Sequence, residues 1–295
     1  MRLLEILVNG TSLGMLYALV ALGFVLIFKA TRTVNFAQAS FLLMGAYLVA
    51  VLTPRLGFWL ATLLSLLVTG AVAVLIERVL ISRVDIRDHT SAAILTLGVN
   101  IVLAAELVRR IEERSLPIDA PWGNSVVNIA GTTLPVSRIV AIVAALLLIA
   151  GLTAALRLTP WGLAMRATID DPEAAALVGF NLRTVTASAW FVAGALAVIA
   201  GIGLTAYPSP GVSVATQAVA LLAFPAAILG GMDSQIGAVV GGLIIGIAQV
   251  AVSSYAGALS FLGQGLGEVT AYIIMFAVLL WRPSGLFGTK ELTRV

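Results

Sequence analysis

The chain has 295 residues, 60% of them hydrophobic and 11% charged, with mean hydropathy +1.09 and a net charge of +3. A soluble domain carries about 25% charged residues, so this composition excludes a water-soluble globular protein and points to an all-α polytopic membrane protein. The absence of cysteine and a single histidine, His89, exclude disulfides, thiolate metal sites and a histidine-rich metal centre.

Runs of apolar residues recur at about 7–28, 36–53, 57–76, 91–108, 136–157, 185–206, 215–231, 237–256 and 267–281. The alternating segments of a membrane β-barrel are missing. Residues 1–28 imitate a signal peptide, but further spans follow, so a retained first helix is expected. Segments 36–53 and 215–231 are short and rich in small residues, and each reads as a full span or as a broken or re-entrant helix. The expectation is a single transmembrane domain, 1–295, of 8–9 helices.

Basic residues set the orientation. With Lys29 and Arg32 on one side of nine spans, that side collects eleven Lys and Arg residues, among them Arg87, Arg157, Arg166, Lys290 and Arg294. The other side holds six, including Arg2, Arg109, Arg110 and Arg114. The richer side is expected to be cytoplasmic, with the N-terminus outside and the C-terminus inside. The basic pI of about 9.6 then reflects helix anchors and not a nucleic-acid partner. In the long outer loop 109–135, VVNI and TTLPV separated by AG predict a small β-hairpin.

Polar groups inside apolar segments are costly and each needs a reason. Asn35, Gln38 and Ser40 flank the start of the second segment. Thr96 and Asn100 lie four apart in the fourth, on one helical face. Asp233 and Ser234 interrupt the glycine-rich late region, where a turn near the cytoplasmic mouth is favoured for Asp233. Together these are the candidate substrate path, with NFAQAS and GGMDSQIG expected to face each other and expose broken-helix backbone to a zwitterionic substrate. Gly230, Gly231, Gly237, Gly241 and Gly242 read as close helix packing. Glu268 opens the last segment at the outer interface; a helix start at Leu262 would make it a path candidate too.

Charge concentrates in WGLAMRATIDDPEAAALVGFNLRT, residues 161–184. Asp171 suits an N-cap, Pro172 the first helical position and Glu173 the positive end of the helix dipole. Ala174, Ala175 and Ala176 are strong helix formers, and Gly179 suits a left-handed C′ position. A helix over 172–178 is predicted. One so short is marginal alone, so it needs a partner surface: the membrane interface, its own domain or another protein.

E-A-A-x-x-x-G, at Glu173, Ala174, Ala175 and Gly179, resembles the cytoplasmic loop of ABC importer permeases. RATIDDPEAAALVGFN is similar, more narrowly, to the branched-chain amino acid (leucine/isoleucine/valine) permease family, of the shorter permease type. NGTSLGMLYALVALGFVLIF, VNFAQASFLLMGAYL, ILGGMDSQIGAVVGGLIIGIAQ and WRPSGLFG resemble other stretches of that family in the right order. The resemblance implies an importer for branched-chain or related hydrophobic amino acids in the cytoplasmic membrane. It implies a second, different and longer permease, two ATPase subunits and an external solute-binding protein as partners. Loop 158–183 would be the coupling segment, with Arg166, Asp170, Asp171, Pro172, Glu173, Ala174, Ala175 and Gly179 as its contact residues. The chain has no G-x-x-x-x-G-K-[ST] phosphate loop. It is therefore expected to be a transport subunit and not an enzyme, without a cofactor of its own, with ATP and Mg in the ATPases.

The family commonly has N-F-A-H-G-E where this chain has Asn35-Phe36-Ala37-Gln38-Ala39-Ser40. Both departures remove ionisable groups. Related permeases carry urea, short amides and other amino acids, so the same importer class with another small solute is the alternative. A self-contained secondary transporter or channel would need intramembrane coupling charges, and Asp233 and Glu268 come nearest. An intramembrane enzyme built on Asp170 and Asp171 lacks a second acidic cluster.

Overall fold

The computed structural model describes residues 2–84, 89–112, 115–129, 132–206, 211–256 and 265–289. Leu262 lies outside them, as do Arg87, Arg114, Lys290 and Arg294 of the basic count. Twelve α-helices and one two-stranded sheet are present among the described residues. Among the described residues, seven helices are long and apolar enough to cross a membrane: α1 (Arg2–Thr31), α2 (Gln38–Leu56), α3 (Phe58–Val79), α4 (His89–Ile111), α5 (Val136–Leu158), α8 (Leu182–Leu204) and α11 (Gln235–Ser254). The protein is a multi-pass, all-α membrane protein.

Segment 36–53 is one continuous helix, α2. Segment 215–231 is broken into α9 (Val214–Leu221) and α10 (Ala223–Gly230) at Leu222. Pro225 accounts for the break: it has no N–H to give the Leu221 carbonyl, and its ring crowds that carbonyl. The last segment forms the 16-residue α12 (Leu266–Trp281). Its first turn carries an exposed Glu268. The hairpin pairs β1 (Val126–Ile129) with β2 (Thr132–Pro135).

The first helix is the centre of the bundle. In α1, Leu13 to Ile27 are almost all buried. It packs on α8, α5 and, most extensively, α11. Glycine makes that last contact possible. A Cβ added at Gly246 would lie 2.2 Å from the Gly14 amide nitrogen, and one at Gly242 2.6 Å from that of Ala18. Such backbone-to-backbone approach lets dispersion replace the hydrophobic effect, which does not hold helices together in lipid. The α10–α11 joint repeats the device: a Cβ at Gly241 would meet the Ala226 carbonyl at 2.2 Å.

The two ends of the bundle differ. At one end, Arg32 donates to the Ile169 carbonyl, and Lys29, Arg157 and Asp233 share a cavity. At the other, the loop after α4 meets the start of the α9 segment through a Leu116–Val212 bridge, near the hairpin.

Candidate functional site

The link 32–37 does not stay at the end of the bundle. It turns back inward, and α2 begins at mid-depth. Gln38 Nε2 donates to the carbonyl of Ala193, the central residue of α8. Ser40 Oγ donates to Oδ1 of Asn100, the central residue of α4, at 2.6 Å. One turn earlier on α4, Thr96 Oγ1 receives the Phe36 amide at 3.1 Å and lies 3.1 Å from the Val34 carbonyl. The i, i+4 pair on α4 therefore holds the inward-turning link at Val34 and Phe36 and the first turn of α2 at Ser40.

A third residue, absent from the sequence expectation, completes the cluster. Gln217, on α9 just before the helix break, donates Nε2 to Ser40 Oγ and to Asn100 Oδ1, both at 3.1 Å. Gln217 and Asn100 are half-buried, and Ser40 is fully buried. Among the described residues, the Asn100 amide nitrogen and the Gln217 carbonyl oxygen make no hydrogen bond. The cluster therefore offers one free donor and one free acceptor at mid-depth, without a formal charge.

Asn35 and Gln38 sit beside this cluster but are sealed from solvent. Both are 0% exposed. Asn35 Oδ1 caps the Ala37 amide, and its Nδ2 reaches Gln38 Oε1 at 3.4 Å. A Cβ at Gly23 would fall 2.2 Å from Gln38 Nε2, so the Gln38 amide fills a notch in α1. These two residues join α1, α2 and α8.

Asp233 and Ser234 lie elsewhere. They form a turn at the α6–α7 end of the bundle, as the sequence favours for Asp233. The Asp233 carboxylate accepts from the Thr289 amide at 2.9 Å and from the Thr289 hydroxyl. Ser234 caps α11 through the Gly237 amide. The expected meeting of NFAQAS with GGMDSQIG is replaced by a tilted contact of Phe36 with Phe224 of α10, outside the second motif, at 5.7 Å between ring centroids. The polar groups of the two motifs are not brought together.

The charged loop builds a second site. An unforeseen helix, α6 (Pro160–Asp170), precedes the predicted one, opened by Thr159 as N-cap and Pro160 at the first position. Arg166 donates to the Leu156 carbonyl and ties α6 to the end of α5. Asp170 is exposed at its last position. Then α7 (Pro172–Leu177) forms as the sequence predicts. Asp171 Oδ1 accepts the Ala174 amide at 2.9 Å. Gly179 has φ +99°, and the Phe180 and Gly179 amides donate to the Ala175 and Ala176 carbonyls. That pair of bonds is a Schellman stop.

The alanines do not present one docking face. Ala175 is buried against the chain itself, while Ala174 and Glu173 are exposed. On α7 and its C-cap the most exposed apolar groups are Leu177 (90%) and Val178 (79%). The projecting surface is thus larger and more aliphatic than the alanine run implies.

The family described as "Branched-chain amino acid transport system / permease component" matches residues 6–281. The chain belongs to this family. The permease is 29% identical to the high-affinity branched-chain amino acid transport system permease protein BraD of Pseudomonas aeruginosa, over 99% of this chain and 98% of that one. It is 29% identical to LivH of Escherichia coli, with 99% and 97% covered. It is 31% identical to a probable branched-chain amino acid transport permease protein LivH of Methanocaldococcus jannaschii, with 95% and 91% covered. A weaker likeness, 26% over 74% of this chain, is to the fructose import permease protein FrcC of Rhizobium meliloti.

Proposed function

We propose that this permease is one half of the membrane channel of an ATP-driven importer, carrying branched-chain or related hydrophobic amino acids inward across the cytoplasmic membrane. Its partners are a second, longer permease, two ATPases and an external solute-binding protein. The observation that carries the reading is α7: a short helix, capped at both ends, projecting exposed Leu177 and Val178 from one end of an apolar bundle. Exposed aliphatic groups on a rigid, charged loop suit insertion into a groove on a soluble subunit. Segment 158–183 is the coupling element, and α6 is the arm that fixes it to α5.

Ser40, Asn100 and Gln217 line the path, with Thr96 holding the inward-turning link. The free amide donor suits a substrate carboxylate and the free acceptor suits an ammonium group, at the point where α9 and α10 are interrupted. Asn35 and Gln38 act by holding α2 at the right depth. Asp233 and Ser234 form the mouth on the ATPase side. The same neutral cluster also suits an uncharged polar solute, and the likeness to a fructose permease favours that as the second reading. In the membrane, the α6–α7 end and the C-terminus face the cytoplasm and the N-terminus faces outward.

The test is a cysteine at Leu177 or Ala174 in the assembled transporter, with a bifunctional crosslinker. Crosslinks to an ATPase subunit are expected. Crosslinks confined to the permease, in an assembly that still transports, overturn the assignment.

A further inference from the structure

Glu77 stands near the end of α3, inside the bundle, and is 4% exposed. One carboxylate oxygen, Oε1, accepts from Thr186 of α8 at 3.0 Å. The other, Oε2, is buried with no hydrogen-bond partner. A buried carboxylate oxygen left unpaired costs several kcal/mol in a protein interior, by order of magnitude. Nothing in the path or the coupling element requires this acid.

Glu77 lines a cavity of about 210 Å³ that also takes in Thr31 at the end of α1, Thr33 from the α1–α2 link and Ser82 after α3. Each hydroxyl has committed its proton to a backbone carbonyl: Thr31 to Ile27, Thr33 to Thr31, and Ser82 to Arg78. What these oxygens have left is lone pairs. Apart from the Arg183 guanidinium at its rim, the polar wall is made of acceptors around the buried Glu77 carboxylate, and it suits an occupant that takes oxygen ligands and gives positive charge.

We propose that the Glu77 cavity binds a monovalent alkali cation. Hard cations take carboxylate, hydroxyl and carbonyl oxygens. A single carboxylate balances one positive charge, whereas a divalent ion would leave an excess charge buried at the membrane edge. Among the described residues, no group of three or more His, Cys, Asp or Glu residues forms a multivalent metal site. The location gives the ion a role. The cavity touches the α1–α2 link that leads to Ser40 and the first turns of α8, which follow α7 directly. A bound cation clamps the coupling end to the link that sets the depth of α2.

Arg183 also lines the cavity, from the exposed second position of α8. It is the competing occupant. The experiment is thermal unfolding of the full-length permease, purified in its assembly, in sodium, potassium or choline chloride at one ionic strength. Choline carries the same charge, but its methyl groups keep oxygen ligands from the close approach that an alkali ion takes. At tenfold saturation, sodium or potassium is expected to raise the midpoint by about 3–6 °C over choline. Glu77→Gln should abolish that difference, and Thr186→Val should reduce it. Equal midpoints for the wild type in all three salts overturn the proposal, as does a difference that survives Glu77→Gln. If the wild type ignores the salt while Arg183→Gln and Glu77→Gln lower its midpoint equally, the occupant is Arg183 and the cation site is wrong. Should Glu77→Gln fail to fold, rubidium binding to the wild type, competed by potassium but not choline, decides it; no competable binding rejects the site.

Discussion

The α1–α11 joint and α7 are opposite uses of small residues in one chain. Between α1 and α11, glycines such as Gly14, Gly242 and Gly246 clear side chains from the points where backbone meets backbone. On α7, alanines and a glycine shape a short helix that touches little, and a Cβ at Gly179 would meet nothing within 4 Å. Sequence alone shows small residues in both places. The difference lies in what surrounds them: in the joint space decides, and at the loop backbone conformation decides. Substitutions should therefore fail in different ways.

The largest effect is expected at the joint. In Gly246→Leu the new Cβ would stand 2.2 Å from the Gly14 nitrogen and 2.3 Å from its Cα. Overpacking usually costs about 1–3 kcal/mol, and backbone on the receiving side leaves no rotamer to relieve it. The folded yield should collapse, read as loss of the monodisperse peak in detergent. Gly98→Ala, in open space on α4, should leave that peak unchanged. If both variants behave alike, the packing argument fails.

Gly179→Val comes next. Its φ of +99° is strained for a β-branched residue, at about 1–2 kcal/mol. The cost falls on the loop and not on the bundle. The permease should still purify, while ATP hydrolysis and transport become uncoupled. A Gly179→Val transporter with normal coupling would show that the left-handed stop has no mechanical role.

This contrast also explains what was legible in the sequence. The spans, the hairpin and α7 were legible because each rests on local signals: apolar runs, β-branched pairs around AG, and the Asp171–Pro172 to Gly179 frame. The glycine packing was legible in the run from Gly230 to Gly242, though its partner, α1, was not. The α6 helix was not legible although Thr159 and Pro160 supply a cap, because its 11 residues are too few and too mixed in polarity to stand out beside the apolar spans. Gln217 and Glu77 were missed for a different reason. Each lies within or at the edge of an apolar run, and its meaning comes from residues over a hundred positions away, Ser40 and Thr186. Gln38 was noticed for its polarity, but burial in a notch over Gly23 is a tertiary fact.

Two glutamines sharpen the comparison at mid-depth. Gln38→Leu loses the bond to the Ala193 carbonyl and forces a branched side chain against Gly23. Unsatisfied groups of this kind cost about 1–3 kcal/mol, so assembly and uptake should fall together. Gln217→Leu removes bonds that are half-exposed and should cost at most about 1 kcal/mol. Its assembly should stay normal while uptake drops severalfold. Measuring yield and uptake for both in the same proteoliposomes separates a joint from a path. Normal uptake in Gln217→Leu would remove the cluster from the path.

The smallest effect on the fold is expected at Leu177. Its side chain is 90% exposed, so Leu177→Ser should change stability by less than about 0.5 kcal/mol, as surface substitutions do. For a partner the same change is large. Burying a leucine side chain is worth roughly 1.5–3 kcal/mol, a ten- to hundredfold change in association. The isolated permease should therefore unfold at the wild-type midpoint while ATPase subunits no longer copurify at low concentration. Raising the ATPase concentration about a hundredfold should restore assembly, because the loss is one of affinity and not of structure. Val178→Ser, at 79% exposure, should behave in the same way but more weakly. A Leu177→Ser permease that binds its ATPase as tightly as the wild type would move the docking surface away from the C-terminal end of α7, to the exposed Glu173 and Ala174.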